Sequence, residues 1–174
     1  MDDDGQCLVT ALQNTTTIIV CDSSYQFYLN NSIWSAAWTI ECTDTSSRAV
    51  GVTPTTATIA NAYQSEWLYA TLATVLAVTT LYSVKHRSLT IGCDNERSLY
   101  LSSFLELKVP VKCQHSNVLC SIRLVRSKLS PQLTSKHIKA HQDYRVLHHK
   151  LSREVQVNID CDSAAKVILI QFHH

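Results

Sequence analysis

Four acidic residues stand where an α/β chain could bring them together. Asp22 follows the β-branched run Thr15–Cys21, Glu66 lies in the early turns of a helical stretch, Asp94 ends the run Ser88–Cys93, and Asp162 lies in the last periodic segment. Converging carboxylates repel one another and are tolerated only where cations neutralise them or some keep a proton. Their hard oxygen atoms select Mg²⁺ or Mn²⁺ over zinc. Two such ions about 4 Å apart activate water and stabilise the leaving oxygen of a phosphodiester. Taken singly, each acid is more often a helix cap or a surface charge, so the case rests on whether the elements converge.

The elements permit it. Thr15–Cys21 reads as a buried strand, Ser35–Glu41 and Arg48–Thr53 as two more, joined by the polar turn Thr43–Ser47. Short connections suit an antiparallel meander. Residues 53–60 read as a Thr/Pro/Ala loop. From Asn61 to Val84 the spacing turns helical, with Leu68, Leu72, Val75, Leu76, Thr79 and Tyr82 on one face. From Glu66 this helix advances roughly 27 Å, and the strand 89–94 returns roughly 17–20 Å, so Glu66 and Asp94 can meet. Asp22 joins them if strands one and four are adjacent and parallel, with the helix in a right-handed crossover.

Beyond strand four, Asn95–Leu105 reads as a short helix. Asn117–Leu129 reads as another, with Val118, Ile122, Val125 and Leu129 on one face. Ser135–His141 is a fifth strand, and Leu151–Leu169 a last helix with Leu151, Val155, Ile159, Asp162 and Lys166 in line. The order β-β-β-α-β-α-α-β-α describes an α/β domain with a mixed five-stranded sheet whose first three strands are antiparallel. The expected organisation is a leader over 1–14, one domain over 15–170 and a tail over 171–174.

Composition narrows the function classes. The chain has 174 residues, 45% hydrophobic and 17% charged, which suits one domain with one core. Residues 1–84 sum to −6 and residues 85–174 to +7. Within 97–141 there are eight basic residues against Glu106 alone, and all eight histidines follow residue 85. A segment this one-sided suits a polyanion, or else is a solvated helix face. The acidic start Met1–Asp4 lacks the order of a signal peptide, and the seven cysteines include no C-x-x-C pair. Reduced thiols and an intracellular location, cytoplasmic or nuclear, are therefore expected. Cys113-x-His115-x4-Cys120 has the wrong spacing for a zinc finger and no evident fourth ligand. The uncharged run Trp67–Val84 is just long enough for a membrane span. Its threonines and tyrosines favour a buried core helix, so no membrane partner is expected.

The residues that do chemistry sit in five segments that resemble, in order, those of ribonuclease H domains, closest to those carried by retrotransposon and reverse-transcriptase polyproteins. They are Ile18-Ile19-Val20-Cys21-Asp22-Ser23-Ser24, Tyr63-Gln64-Ser65-Glu66-Trp67-Leu68, Leu89-Thr90-Ile91-Gly92-Cys93-Asp94-Asn95, His137-Ile138-Lys139-Ala140-His141-Gln142-Asp143 and Val157 to Lys166. The last two are the most specific. The resemblance implies that Asp22, Glu66, Asp94 and Asp162 bind two Mg²⁺ ions, with Mn²⁺ as a substitute, and that His141 assists proton transfer or product release. It implies hydrolysis of the RNA strand of an RNA–DNA hybrid, recognised through its 2′-hydroxyls, by a monomer that could belong to a reverse-transcriptase polyprotein. Asp160 competes with Asp162, which alone fits the Asp-x-x-Ala frame. The glycines that usually follow the first aspartate are absent here, and Ala140 replaces the glycine before His141. These departures point to altered contacts at the first hairpin. They raise the alternative of a catalytically impaired nucleic-acid-binding or structural domain from a retroelement polyprotein.

Overall fold

A computed structural model describes residues 9–10, 17–28, 31–44, 47–57, 73–74, 76, 89–96, 116–128, 133–139 and 142–171. Within them run β1 (Thr17–Tyr28), β2 (Asn31–Cys42), β3 (Arg48–Ala57), β4 (Leu89–Cys93), helix α1 (Ser116–Lys128), β5 (Leu133–His137) and helix α2 (Arg153–Gln171). Two short 3-10 turns, Gln142–Tyr144 and His148–Lys150, separate β5 from α2. The five strands form one mixed sheet in the order β3-β2-β1-β4-β5. β1, β2 and β3 are antiparallel neighbours, while β4 pairs parallel to both β1 and β5. This is the expected architecture, including the adjacent parallel pair of strands one and four.

Several boundaries differ from the sequence reading. β1 does not stop at Cys21 but continues to Tyr28, because β2 pairs with it without interruption from Thr17↔Cys42 to Tyr28↔Asn31. The hairpin register is therefore complete without the glycines usual after the first aspartate. Asp22 stands inside the strand opposite Ala37, not at its end; what stops near it is the pairing with β4, which runs through Ile19↔Ile91 and Val20↔Gly92. The stretch read as a loop from residue 53 is strand as far as Ala57. β3 is an edge strand, which is where proline is tolerated, so Pro54 does not end it. β5 lies two residues earlier than expected at its start and ends at His137, its length set by the partner β4. The helix expected over 61–84 lies outside the described residues except at Ala73, Thr74 and Leu76, which are helical. Of the helix expected over 95–105 only Glu96 is described as helical. The leader other than Val9 and Thr10, and the tail beyond Gln171, lie outside the described residues.

The strand period of two sorts the sheet into faces. Ile18, Val20, Ala37 and Val52 lie under α2 with Ile138, Val155, Val157, Cys161 and Ala165. The helix buries the ridge Val157, Cys161, Ala165, spaced four apart, together with Val155; Leu151 and Ile159 of the expected line pack half-buried against the same cluster, while Lys166 at its end is exposed. Likewise α1 buries Leu119 and Ile122. Gly92 makes room for Ile138: a Cβ there would come 2.3 Å from Ile138 Cδ1. Polar bonds seat α2 at both ends. Ser35 Oγ donates to the Ala165 carbonyl at 2.6 Å. At the helix start Arg153 grips the buried Glu41 with Nε to Oε1 at 2.6 Å and Nη2 to Oε2 at 2.8 Å. On the opposite face lie Ile19 and Cys21, where the buried Thr74 hydroxyl reaches the Cys21 thiol.

Candidate active site

The parallel register of β1 and β4 decides the site. Val20 and Gly92 are partners, so Asp22 and Asp94, each two residues further on, leave the paired region side by side at one edge of the β1–β4 seam. Asp22 points to the α2 face, as Val20 does. α2 crosses that face and brings Asn158 and Asp162, one turn apart, over the same place. Asn158 Nδ2 donates to Asp22 Oδ2 at 3.2 Å in a buried contact. The other carboxylate oxygen, Oδ1, accepts the Ser23 N–H at 2.7 Å.

Asp22 is 8% exposed. Burial pushes its carboxyl well above the usual carboxylate range, and the negative charges of Asp94 and Asp162 push it the same way, against the Ser23 hydrogen bond. Those charges act on Asp22 from two separate elements, so the three aspartates share one electrostatic environment. Asp162 is offset by Lys166 one turn on, whose ammonium is held above its ordinary value chiefly by that hydrogen bond. Cys161, beneath Asp22, donates to the Val20 carbonyl at 3.9 Å and is pushed up to about 12 by burial and by the Asp22 charge, so it is a neutral thiol. The five described cysteines are all free.

The structure separates the two aspartates of the last motif. Asp160 faces away from Asp22 and is bonded by Arg48 Nη1 at 2.9 Å, with His148 Nε2 3.4 Å from its other oxygen. Its carboxylate ties α2 to β3. Asp162 is the one that acts on Asp22. Glu66 and His141 lie outside the described residues, as do Cys113 and His115. Among the described residues no group of three His, Cys, Asp or Glu closes on a point that would hold a metal ion, and no helix is long and apolar enough to cross a membrane.

Three neighbouring residues lie inside the quoted motifs but have no role assigned from the sequence. Asn158 precedes Asp162 by four and Lys166 follows it by four, so helical spacing alone puts all three in one row. His137, at the end of β5, places Nε2 3.0 Å from the Asp94 carbonyl oxygen and Nδ1 3.4 Å from Glu96 Oε1. It fixes the turn that carries Asp94, a role without a sequence signal because it depends on the β4–β5 register.

The donor set fits a hard divalent cation. It consists of carboxylate oxygens, one of them buried and destabilised as an anion by its neighbours, and a positive ion there would reverse the sign of that effect. Beside it the Asn158 Oδ1 atom is buried with no hydrogen-bond partner among the described residues.

The order of strands, the parallel β1–β4 pair and the helix laid across it define a ribonuclease H fold. Solved structures that share it include the Prototype Foamy Virus protease–reverse transcriptase, at TM-score 0.61 and 14% identity over 87% of this chain. The chain spans only 20% of that protein. LC11-RNase H1, isolated from compost by a metagenomic approach, matches at TM-score 0.57 and 11% identity, over 89% of this chain and 98% of its own. The same enzyme in complex with an RNA/DNA hybrid matches at TM-score 0.51 and 13% identity, over 75% and 90%. No protein-family model matches the chain, and no curated protein matches it by sequence.

Proposed function

We propose that this chain is a metal-dependent endoribonuclease that hydrolyses the RNA strand of RNA–DNA hybrids. The observation that carries the reading is the convergence of Asp22, Asp94 and Asp162 from two parallel strands and a crossing helix, with Asp22 buried against the charge of the other two. Asp22, Asp94, Asp162 and, from the sequence, Glu66 hold two Mg²⁺ ions, or Mn²⁺. When bound, such ions supply Lewis acidity toward water and the phosphoryl oxygens. The residues of the chain do the rest. Asn158 and the Ser23 amide orient the Asp22 carboxylate by occupying one lone pair on each oxygen. Lys166 holds the Asp162 side chain in its rotamer. His137 anchors the turn bearing Asp94. His141 carries a proton at the leaving side or helps product depart. The basic half of the chain attracts the polyanionic substrate. The fold shared with a hybrid-bound ribonuclease H and with a segment of a protease–reverse transcriptase supports this substrate and a polyprotein origin.

The test is incubation of the purified chain with an end-labelled RNA–DNA hybrid in Mg²⁺ and then in EDTA. Loss of the RNA strand alone, dependent on Mg²⁺ and abolished by Glu66→Gln, is expected. A folded protein that binds the hybrid without cutting it would replace this reading by the binding-domain alternative.

A further inference from the structure

Residues 142–150 connect β5 to α2 in an unusual way. Their backbone is fixed by its own hydrogen bonds: the Arg145 and Val146 amides donate to the Gln142 carbonyl at 3.1 Å, and the Lys150 amide to the Leu147 carbonyl at 2.8 Å. The ends are pinned too, by Gln142 Nε2 to the Lys139 carbonyl at 2.9 Å and by His148 to Asp160. Yet neither 3-10 turn buries a single residue. Tyr144 is 78% exposed and Leu147 63%. A segment of fixed shape with large apolar side chains turned to water is pre-organised for contact with a partner.

The charges say which partner. The other cations around α2 are paired: Arg48 with Asp160, Lys136 with Glu154, Arg153 with Glu41 and Lys166 with Asp162. Lys139, Arg145 and Lys150 are exposed, and none meets a carboxylate among the described residues. Three cations that meet no carboxylate among the described residues, against the single exposed acid Asp143, interleave with an aromatic and a leucine and suit a sugar–phosphate backbone, whose anionic and apolar parts alternate in the same way. The position is also right. His148 Nε2 lies 3.4 Å from Asp160, so the segment packs against α2, the helix that carries Asp162 and Lys166, and Tyr144 lies within electrostatic range of Lys166.

We propose that residues 142–150, together with Lys139, form a docking surface for the backbone of a nucleic-acid duplex beside the carboxylate site. Arg145, Lys150 and Lys139 contact phosphates, and Tyr144 and Leu147 cover sugars. This rests on the nucleic-acid reading above and extends it beyond the fourth motif, which ends at Asp143, to Tyr144, Arg145, Leu147 and Lys150.

The test is binding of the full chain to a fluorescently labelled RNA–DNA hybrid in EDTA, by anisotropy, across about 50–200 mM salt. Each phosphate contact contributes about 0.9 to the slope of log affinity against log salt. Arg145→Ala/Lys150→Ala is therefore expected to flatten that slope by about 1.8, and Tyr144→Ala to weaken binding about fivefold with the slope unchanged. None of these side chains is buried, so unchanged thermal midpoints serve as the folding control. If the wild type binds and cuts hybrid while both variants keep its slope and affinity, the docking surface is refuted and the nuclease reading stands. If the variants lose binding as expected but the wild type cuts nothing, the surface stands and the nuclease reading falls. A wild type that binds no hybrid overturns both.

Discussion

The grip of Arg153 on Glu41 is the interaction whose loss the fold should tolerate least. The Glu41 side chain is 3% exposed, and both of its oxygens accept from the Arg153 guanidinium, which is itself half-exposed. Arg153→Met leaves a carboxylate in the interior with its counter-charge gone, a change that costs about 3–5 kcal/mol. Arg153 is also the first residue of α2, where a positive charge opposes the helix dipole; removing it returns about 0.3–1 kcal/mol. The desolvated carboxylate wins, leaving a net loss of about 2–4.7 kcal/mol. At about 2–4 °C per kcal/mol for a chain of this size, the midpoint falls by roughly 4–19 °C. Urea denaturation at neutral pH measures it. Glu41→Gln is expected to cost less, since the guanidinium left behind reaches water. Glu41→Leu/Arg153→Met is expected to recover most of the loss, because neither charge is then buried. An Arg153→Met protein within about 1 kcal/mol of wild type, or a double variant as weak as the single, would refute the assignment of the loss to an unpaired buried charge.

Two further outcomes follow from the site and its support. Asp22 keeps its proton to higher pH in the folded chain than in the unfolded one, so without divalent cation stability falls as pH rises from the ordinary carboxylate range through the raised folded value. Asp22→Asn is therefore expected to be more stable than wild type at neutral pH in EDTA. The gap should close toward about pH 4, and thermal melts over pH read it. Gly92→Ala puts a methyl 2.3 Å from Ile138 Cδ1 in a packed layer, expected to cost about 1–3 kcal/mol by chemical denaturation. Ile138→Val in the same chain, lacking that Cδ1, should restore part of it, and equal losses with and without Ile138→Val would show that the methyl clashes elsewhere.

What the sequence disclosed, and what it did not, follows from the range of the forces involved. Strand and helix types are legible because propensity and side-chain spacing are local: Thr15 to Cys21 is β-branched and short, Ser88 to Cys93 is a short run ending at an acid, and Leu151, Val155 and Ile159 recur at helical spacing. The adjacency of strands one and four followed from element lengths and handedness. Strand ends were not legible, because partners set them. β1 runs on through Asp22 since β2 pairs with it, and Pro54 survives in β3 only because β3 is an edge. The motif frame favours Asp162 over Asp160; in the structure Asp160 is bonded by Arg48, a residue 112 positions away, a pairing no local pattern encodes. Asn158 was visible as a letter in a motif, but its bond to Asp22 joins residues 136 positions apart, which no local pattern encodes.

That separation also has a consequence for the order in which a growing chain acquires structure. The sheet face that carries Val20 and Ala37 is made before the helix that covers it, which follows more than a hundred residues later in the chain. Until α2 leaves the ribosome, this apolar face lacks the helix that, among the described residues, covers it, and it is a target for chaperones and for self-association. The same helix brings Asp162 and Asn158. An incompletely synthesised chain is thus at once unshielded and unable to assemble the three aspartates, and the single docking event that closes the core also completes the cluster.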